Sequence, residues 1–148
     1  MALRVLLFLI LNFAALAIGG IFTGAGVQSE WYANANLAPW TPPGWVFGAA
    51  WTLIMICYAF YMGAQKPAQN LIIVYAIQWV LNVAWNPLFF YLHEVFLALL
   101  VITLLTLLVW YSLFQFRLTL KLWSILILPY AIWLVIATSL NAYILLMN

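Results

Sequence analysis

Polar and charged positions are so sparse along this chain that they act as punctuation. Arg4, Glu30, Lys66, Glu94, Arg117 and Lys121 are its charged side chains, and between them run uncharged, mainly apolar stretches. A helix needs about 20 such residues to cross a bilayer, and the stretches meet that length at 3–24, 44–64, 70–92, 95–116 and 122–147. None alternates apolar and polar residues with the period of two that a membrane barrel requires, and backbone groups in lipid must be satisfied within their own segment. The pattern predicts an all-α fold, an integral membrane bundle of five transmembrane helices. The connections are too short for a second soluble domain, so residues 1–148 read as a single five-helix transmembrane domain with one interior.

The longest interruption is the stretch Trp31 to Trp51, which holds four of the nine tryptophans and three of the six prolines. Pro39, Pro42 and Pro43 fix φ and remove backbone donors, so the segment cannot continue a helix. Pro42 or Pro43 suits a helix's first turn, where a missing N–H costs nothing, and a helix is expected from Gly44. Rings at Trp31, Tyr32, Trp40, Trp45, Phe47 and Trp51 gather at the depth where amphipathic side chains sit between hydrocarbon and water. Loop 25–43 is expected to form the lid of a ligand cavity, and the start of the second helix one of its walls.

Inside the spans, the polar residues fall on stripes. The first carries Asn12, Ala15, Gly19, Phe22 and Gly26 near one face, with Gly20 and Gly24 as a small-xxx-small pair. Close helix packing is the preferred reading there, and Asn12 needs a partner on another helix. The second span carries Trp51, Met55, Tyr58 and Met62 on one face. The third carries Gln78, Asn82, Trp85, Asn86 and Phe89, and amides on a membrane helix must look into the bundle, toward a neighbour or a ligand. The fourth offers Thr103 and Thr106, whose hydroxyls can bond their own helix. In the fifth, Pro129 is expected to kink the helix, and Tyr130, Trp133, Ala137 and Asn141 share a face. Three helices thus each aim a tryptophan inward: Trp51, Trp85 and Trp133.

Composition adds what chemistry this interior can perform. Hydrophobic residues make up 70% and charged residues 4%, far from a soluble domain. There is no Asp, the single His and both Glu lie in expected loops, and Cys57 stands alone in mid-span, which removes the usual means of acid–base catalysis, thiol metal binding and disulfides. His93 beside Glu94 lacks the further ligands a metal or haem site needs and reads as a solvated turn residue. No phosphate-binding loop and no mid-membrane charge for a proton relay is present. The net charge of +2 gives no nucleic-acid footprint. With five spans, Arg4, Lys66, Arg117 and Lys121 share the N-terminal side and Glu30, His93 and Glu94 the other, so the positive-inside rule places the N-terminus in the cytoplasm. Arg4 and Ala15-Leu16-Ala17 imitate a cleaved signal peptide, but the apolar run continues to Phe22, long enough to span. What remains is recognition by stacking and shape: Trp, Tyr, Phe and Met with a few amides suit a flat, largely apolar ligand whose acid groups stay at the rim.

These residues carry a resemblance. Trp31-Tyr32, Pro39-Trp40-Thr41-Pro42-Pro43-Gly44-Trp45 and Trp51, then Gln78-x-x-x-Asn82-x-x-Trp85 with Phe89-Phe90, then Pro129-Tyr130-x-x-Trp133 with Leu140-Asn141, resemble the tryptophan-rich sensory protein and translocator protein family, whose mammalian members are also called peripheral benzodiazepine receptors. The resemblance runs from about Gly19 to Asn141. It implies a five-helix bundle, commonly a homodimer in the lipid bilayer, whose cavity binds porphyrins such as protoporphyrin IX and synthetic aromatic drugs, with no cofactor required. The family's cavity tryptophans match Trp51, Trp85 and Trp133, its amides match Gln78 and Asn82, and a small fifth-helix residue facing the ligand matches Ala137. Trp31, Trp40, Trp45 and Tyr58 complete the expected ligand-binding set. A sterol motif of animal members needs Tyr then Arg near the end of the fifth helix; here those positions are Ala142 and Leu146, which puts cholesterol recognition in doubt and, with the short termini, leans toward a bacterial cell membrane.

Three functions compete. One is a porphyrin-binding membrane receptor or transporter with a role in tetrapyrrole transport or regulation. Another is an enzyme that degrades porphyrin in light, with Trp51 and Trp133 as its catalytic candidates. The third is an assembly protein whose stripes never meet a ligand.

Overall fold

The computed structural model describes residues 1–66 and 69–148. The described residues form five long α-helices and one short one: α1 (Ala2–Gly26), α2 (Glu30–Asn34), α3 (Gly44–Ala64), α4 (Gln69–Phe90), α5 (Val95–Leu120) and α6 (Leu128–Met147). The short α2 interrupts the loop between the first two spans. Ser29 starts it, its Oγ accepting from Tyr32 N at 3.2 Å, with Glu30 in the first turn where the helix dipole favours a negative charge.

The last apolar stretch long enough to cross, Val95–Met147, has 53 residues in helical continuity, which at 1.5 Å per residue is about 80 Å and far exceeds a bilayer's hydrocarbon. It is folded back on itself. Lys121 takes φ 49°, a left-handed conformation, and a 3₁₀ segment Lys121–Ile127 follows before α6 begins. Pro129 therefore does not kink a helix running from 122, as its place in the span suggested. It lies in the first turn of α6, where no N–H is needed. The returning helix is bonded to its partner at two depths, Thr106 Oγ1 to Thr138 Oγ1 at 2.9 Å and Asn141 Nδ2 to the Val95 carbonyl at 3.0 Å.

The five long helices close a ring in the order α1, α3, α6, α5, α4. At one end of the bundle the interior is filled by Tyr58, Tyr61 and Tyr130, with Met55, Met62, Ile102, Leu105 and Leu134 around them. Buried polar groups in this part find partners across helices. Asn12 on α1 donates to the Met55 carbonyl at 3.0 Å and accepts from Tyr75 Oη at 2.7 Å, so the partner expected for it is there on two helices. Trp79 Nε1 donates to the Leu11 carbonyl at 2.9 Å. The other end is looser, and the site lies there.

Candidate functional site

Helices α1 and α4 stay together along their whole length. Phe8 meets Tyr75 edge-on at 4.8 Å, Thr23 Oγ1 donates to Asn86 Oδ1 at 2.8 Å, and Gly26 lies directly against Phe90. Helices α1 and α3 do not. They touch closely where Gly63 faces Val5 and where Asn12 reaches Met55, but at Gly20 and Gly24 on α1 and Gly44 and Gly48 on α3 there is open space where a Cβ would stand. The two axes therefore diverge toward the loop end and leave a cleft with glycine lips. Behind it is a cavity of about 210 Å³.

Four helices wall this cavity. Ala15, Gly19 and Thr23 come from α1, Phe47, Trp51 and Met55 from α3, Asn82, Trp85, Asn86 and Phe90 from α4, and Trp133 and Ala137 from α6. The wall is neutral, with no ionisable side chain. Its polar groups divide into two kinds. Asn86 is used up, accepting from Thr23 and donating to the Asn82 carbonyl at 3.0 Å. The Trp85 N–H is also used, on Asn141 Oδ1 at 2.9 Å. By contrast, among the described residues the Trp133 Nε1–H is buried with no partner and no hydrogen bond engages the Asn82 side-chain amide. A buried donor without an acceptor costs about 1–3 kcal/mol, which a ligand with an acceptor atom would recover.

Of the ten expected ligand-binding residues, the structure brings Trp51, Asn82, Trp85, Trp133 and Ala137 to one hollow. The other five lie elsewhere. Tyr58 and Gln78 are one layer deeper: Tyr58 stacks with Tyr61 at 5.9 Å and Tyr75 at 6.0 Å, and Gln78 Nε2 donates to Tyr130 Oη at 2.6 Å while its Oε1 has no partner. Trp31 stacks on His93 at 4.4 Å and lines a separate outer hollow with Val95 and Ile144. His93, expected as a turn residue, is exposed at φ 55° in the turn between α4 and α5. Trp40 is 53% exposed, donating to Ser139 Oγ at 3.1 Å and meeting Tyr143 edge-on. Trp45 is 75% exposed, outside the bundle.

The proline loop does not touch the main cavity. Its residues Tyr32, Leu37 and Thr41 instead cover a smaller hollow of about 40 Å³, whose remaining wall includes Phe47, Trp85, Phe90 and Ala137. Burial raises the Tyr32 phenol above its ordinary pKa. The loop is strapped to the end of α6, Asn36 N donating to Asn148 Oδ1 at 2.8 Å and Asn36 Nδ2 to the Met147 carbonyl at 3.0 Å. Phe47 lies in the wall that the start of the second span is expected to form, whereas the α1 wall and Phe90 have no place in the expected set; the small residues Gly19, Gly20 and Gly24 are the signal for the α1 wall, and packing is the reading they favour in the sequence. Among the described residues no three His, Cys, Asp or Glu side chains could share a metal ion.

The sequence model of the TspO/MBR family matches residues 7–147. The chain belongs to the TspO/MBR family. Among its relatives, the tryptophan-rich sensory protein of Cereibacter sphaeroides is 35% identical over 138 residues, covering 90% of this chain and 87% of its own. The tryptophan-rich protein TspO of Archaeoglobus fulgidus is 35% identical over 143 residues, 91% of this chain and 92% of its own. The human translocator protein is 30% identical over 140 residues, 82% and 79%. With its apolar helices, this TspO/MBR protein is an integral membrane protein.

Proposed function

We propose that this protein is a membrane receptor or transporter for porphyrins, protoporphyrin IX among them, and for other flat apolar molecules, acting in tetrapyrrole transport or regulation. The observation that carries the reading is the convergence of Trp51, Trp85 and Trp133 from three helices on one uncharged hollow, and the buried indole N–H of Trp133 has no partner among the described residues. Planar aromatic ligands stack on such rings, and a neutral wall favours an apolar face over an anion. The glycine-lipped cleft between α1 and α3 faces the acyl chains, so the ligand reaches the site from the bilayer. At about 210 Å³ the cavity is below the roughly 300–1,000 Å³ usual for small-molecule sites, and binding a tetrapyrrole widens it.

Titration of the purified protein with protoporphyrin IX tests this. Tryptophan emission is quenched with saturation at about micromolar ligand, and Ala137→Phe, which fills the hollow, abolishes the quenching. Unchanged emission in the unmodified protein overturns the reading. We place the chain in a bacterial cell membrane with its N-terminus in the cytoplasm, and the charge distribution supports the orientation: Arg4 donates to the Gln65 carbonyl at the same end of the bundle as Arg117 and Lys121, with Glu30 and Glu94 at the other. A cysteine-accessibility assay at position 2 checks it.

A second reading has an observation of its own. Trp51 and Trp133 both line the hollow, and Trp51 meets Tyr130 edge-on at 5.9 Å, so a photoexcited porphyrin there would touch two oxidisable indoles. Faster loss of the porphyrin Soret band under light than in a Trp51→Phe, Trp133→Phe double variant is the result expected of an enzyme; equal bleaching removes it.

A further inference from the structure

The main cavity and the small hollow under the loop share four wall residues, Phe47, Trp85, Phe90 and Ala137. These four form the partition between them. Three of the four cannot yield. Trp85 is held by its bond to Asn141 and stacks on Phe89 at 5.2 Å. Phe90 is wedged against Gly26 and meets Phe89 edge-on at 4.9 Å, and Ala137 has no rotamer to change. Phe47 differs from them all. It has no polar tether, its one aromatic ring pair among the described residues is an edge-on approach to Trp133 at 5.4 Å and 84°, it is only partly buried, and beside it Gly44 and Gly48 are exposed and carry no side chain to hem it in. The ring it touches is the one with the unmet donor: Trp133 is 7% exposed and its Nε1–H has no partner.

We infer that Phe47 is the gate of the site. Its ring turns out of the partition, and the two hollows become one slot reaching from Trp133 to the underside of the loop at Tyr32 and Thr41. The uncovered Trp133 N–H then takes a hydrogen-bond acceptor of the ligand. This rests on the ligand-binding role proposed above and narrows the ligand's chemistry. The edge that goes deepest carries a neutral acceptor oxygen or nitrogen, because nothing in the wall of either hollow balances a negative charge.

Two measurements test the gate. In the ligand-free protein, ¹⁵N-indole NMR follows hydrogen exchange of the Trp133 Nε1–H; Phe47→Ala speeds it, and Phe47→Leu speeds it less and serves where the alanine variant does not fold. In stopped-flow quenching by protoporphyrin IX dimethyl ester, Phe47→Ala raises the association rate about tenfold, Phe47→Trp lowers it, and the Trp133 indole proton moves downfield at saturation. Exchange and association rates that are unchanged by both Phe47→Ala and Phe47→Leu overturn the inference, as does a Trp133 resonance that stays in place under a ligand that quenches emission. If the ester fails to quench the unmodified protein, it is the porphyrin reading that falls, and the exchange comparison still decides the gate.

Discussion

The Trp85 indole N–H donates to Asn141 Oδ1 at 2.9 Å, and Asn141 Nδ2 in turn donates to the Val95 carbonyl at 3.0 Å. One amide on α6 therefore fixes both a cavity tryptophan on α4 and the first residue of α5. Replacing Asn141 with Leu strands a donor and an acceptor in a medium without water. Bonds between membrane helices are worth about 0.6 kcal/mol on average and up to about 1.7, and this residue makes two. Asn141→Leu is expected to destabilise the protein by about 1–3 kcal/mol, read as a lower midpoint in thermal unfolding in detergent, and to weaken porphyrin quenching by releasing Trp85.

The glycines separate into two classes with opposite outcomes. A Cβ at Gly63 would collide with the Val5 side chain and lie 3.1 Å from its backbone nitrogen, while one at Gly20 or Gly48 meets nothing. Gly63→Ala forces α1 away from α3 at their closest approach and costs about 1–3 kcal/mol. Gly20→Ala instead gains up to about 1 kcal/mol of helix propensity. Unfolding of the two variants side by side gives shifts of opposite sign.

Asn82 presents its side-chain amide to the cavity while its carbonyl is bonded to Asn86. Because that side chain holds nothing else in place, Asn82→Leu is expected to leave the thermal midpoint within about 0.5 kcal/mol of the original. A ligand that bonds the amide loses about five- to tenfold in affinity, the equivalent of one neutral hydrogen bond of about 1 kcal/mol. Quenching titrations at constant detergent concentration measure it.

Binding of a neutral ligand should be flat in pH. No wall residue of the main cavity titrates, and the nearest ionisable group of the loop hollow, the Tyr32 phenol, is raised by burial. A raised phenol stays protonated from about pH 5 to about pH 9, so neither form of the site changes charge across that window. Protoporphyrin IX dimethyl ester is expected to titrate identically at both ends of it, and any slope seen with the free dicarboxylic acid belongs to the ligand's own carboxyls.

The five helices and their inward tryptophans were legible because composition and charge spacing leave lipid-spanning segments no other form. The site was legible only in part, and the reason is depth. A helical stripe says which face a residue shares, not how far along the axis it lies. Tyr58 is seven residues from Trp51 and therefore about 10 Å along the helix, which puts it in the tyrosine layer below the cavity and takes Gln78 there with it. Trp40 and Trp45 sit where interfacial aromatics are common for reasons of lipid anchoring, and nothing in their spacing distinguishes that from a binding role. The α1 wall was hidden for another reason. Small residues look alike whether a neighbour touches them, as Asn86 does Gly19, or leaves them bare, as at Gly20; the splay between α1 and α3 is a property of the assembled ring.

Because α1 travels with α4 along its whole length and is bonded to α3 no further along than Asn12, the width of the mouth follows how that pair leans against α3, and is set by the membrane as well as by the protein. A helix secured in this way changes its lean with hydrocarbon thickness. The same chain placed in short-tailed and in long-tailed lipids would offer its guests doorways of different size, and bilayer composition becomes a regulator of uptake without any side chain being altered.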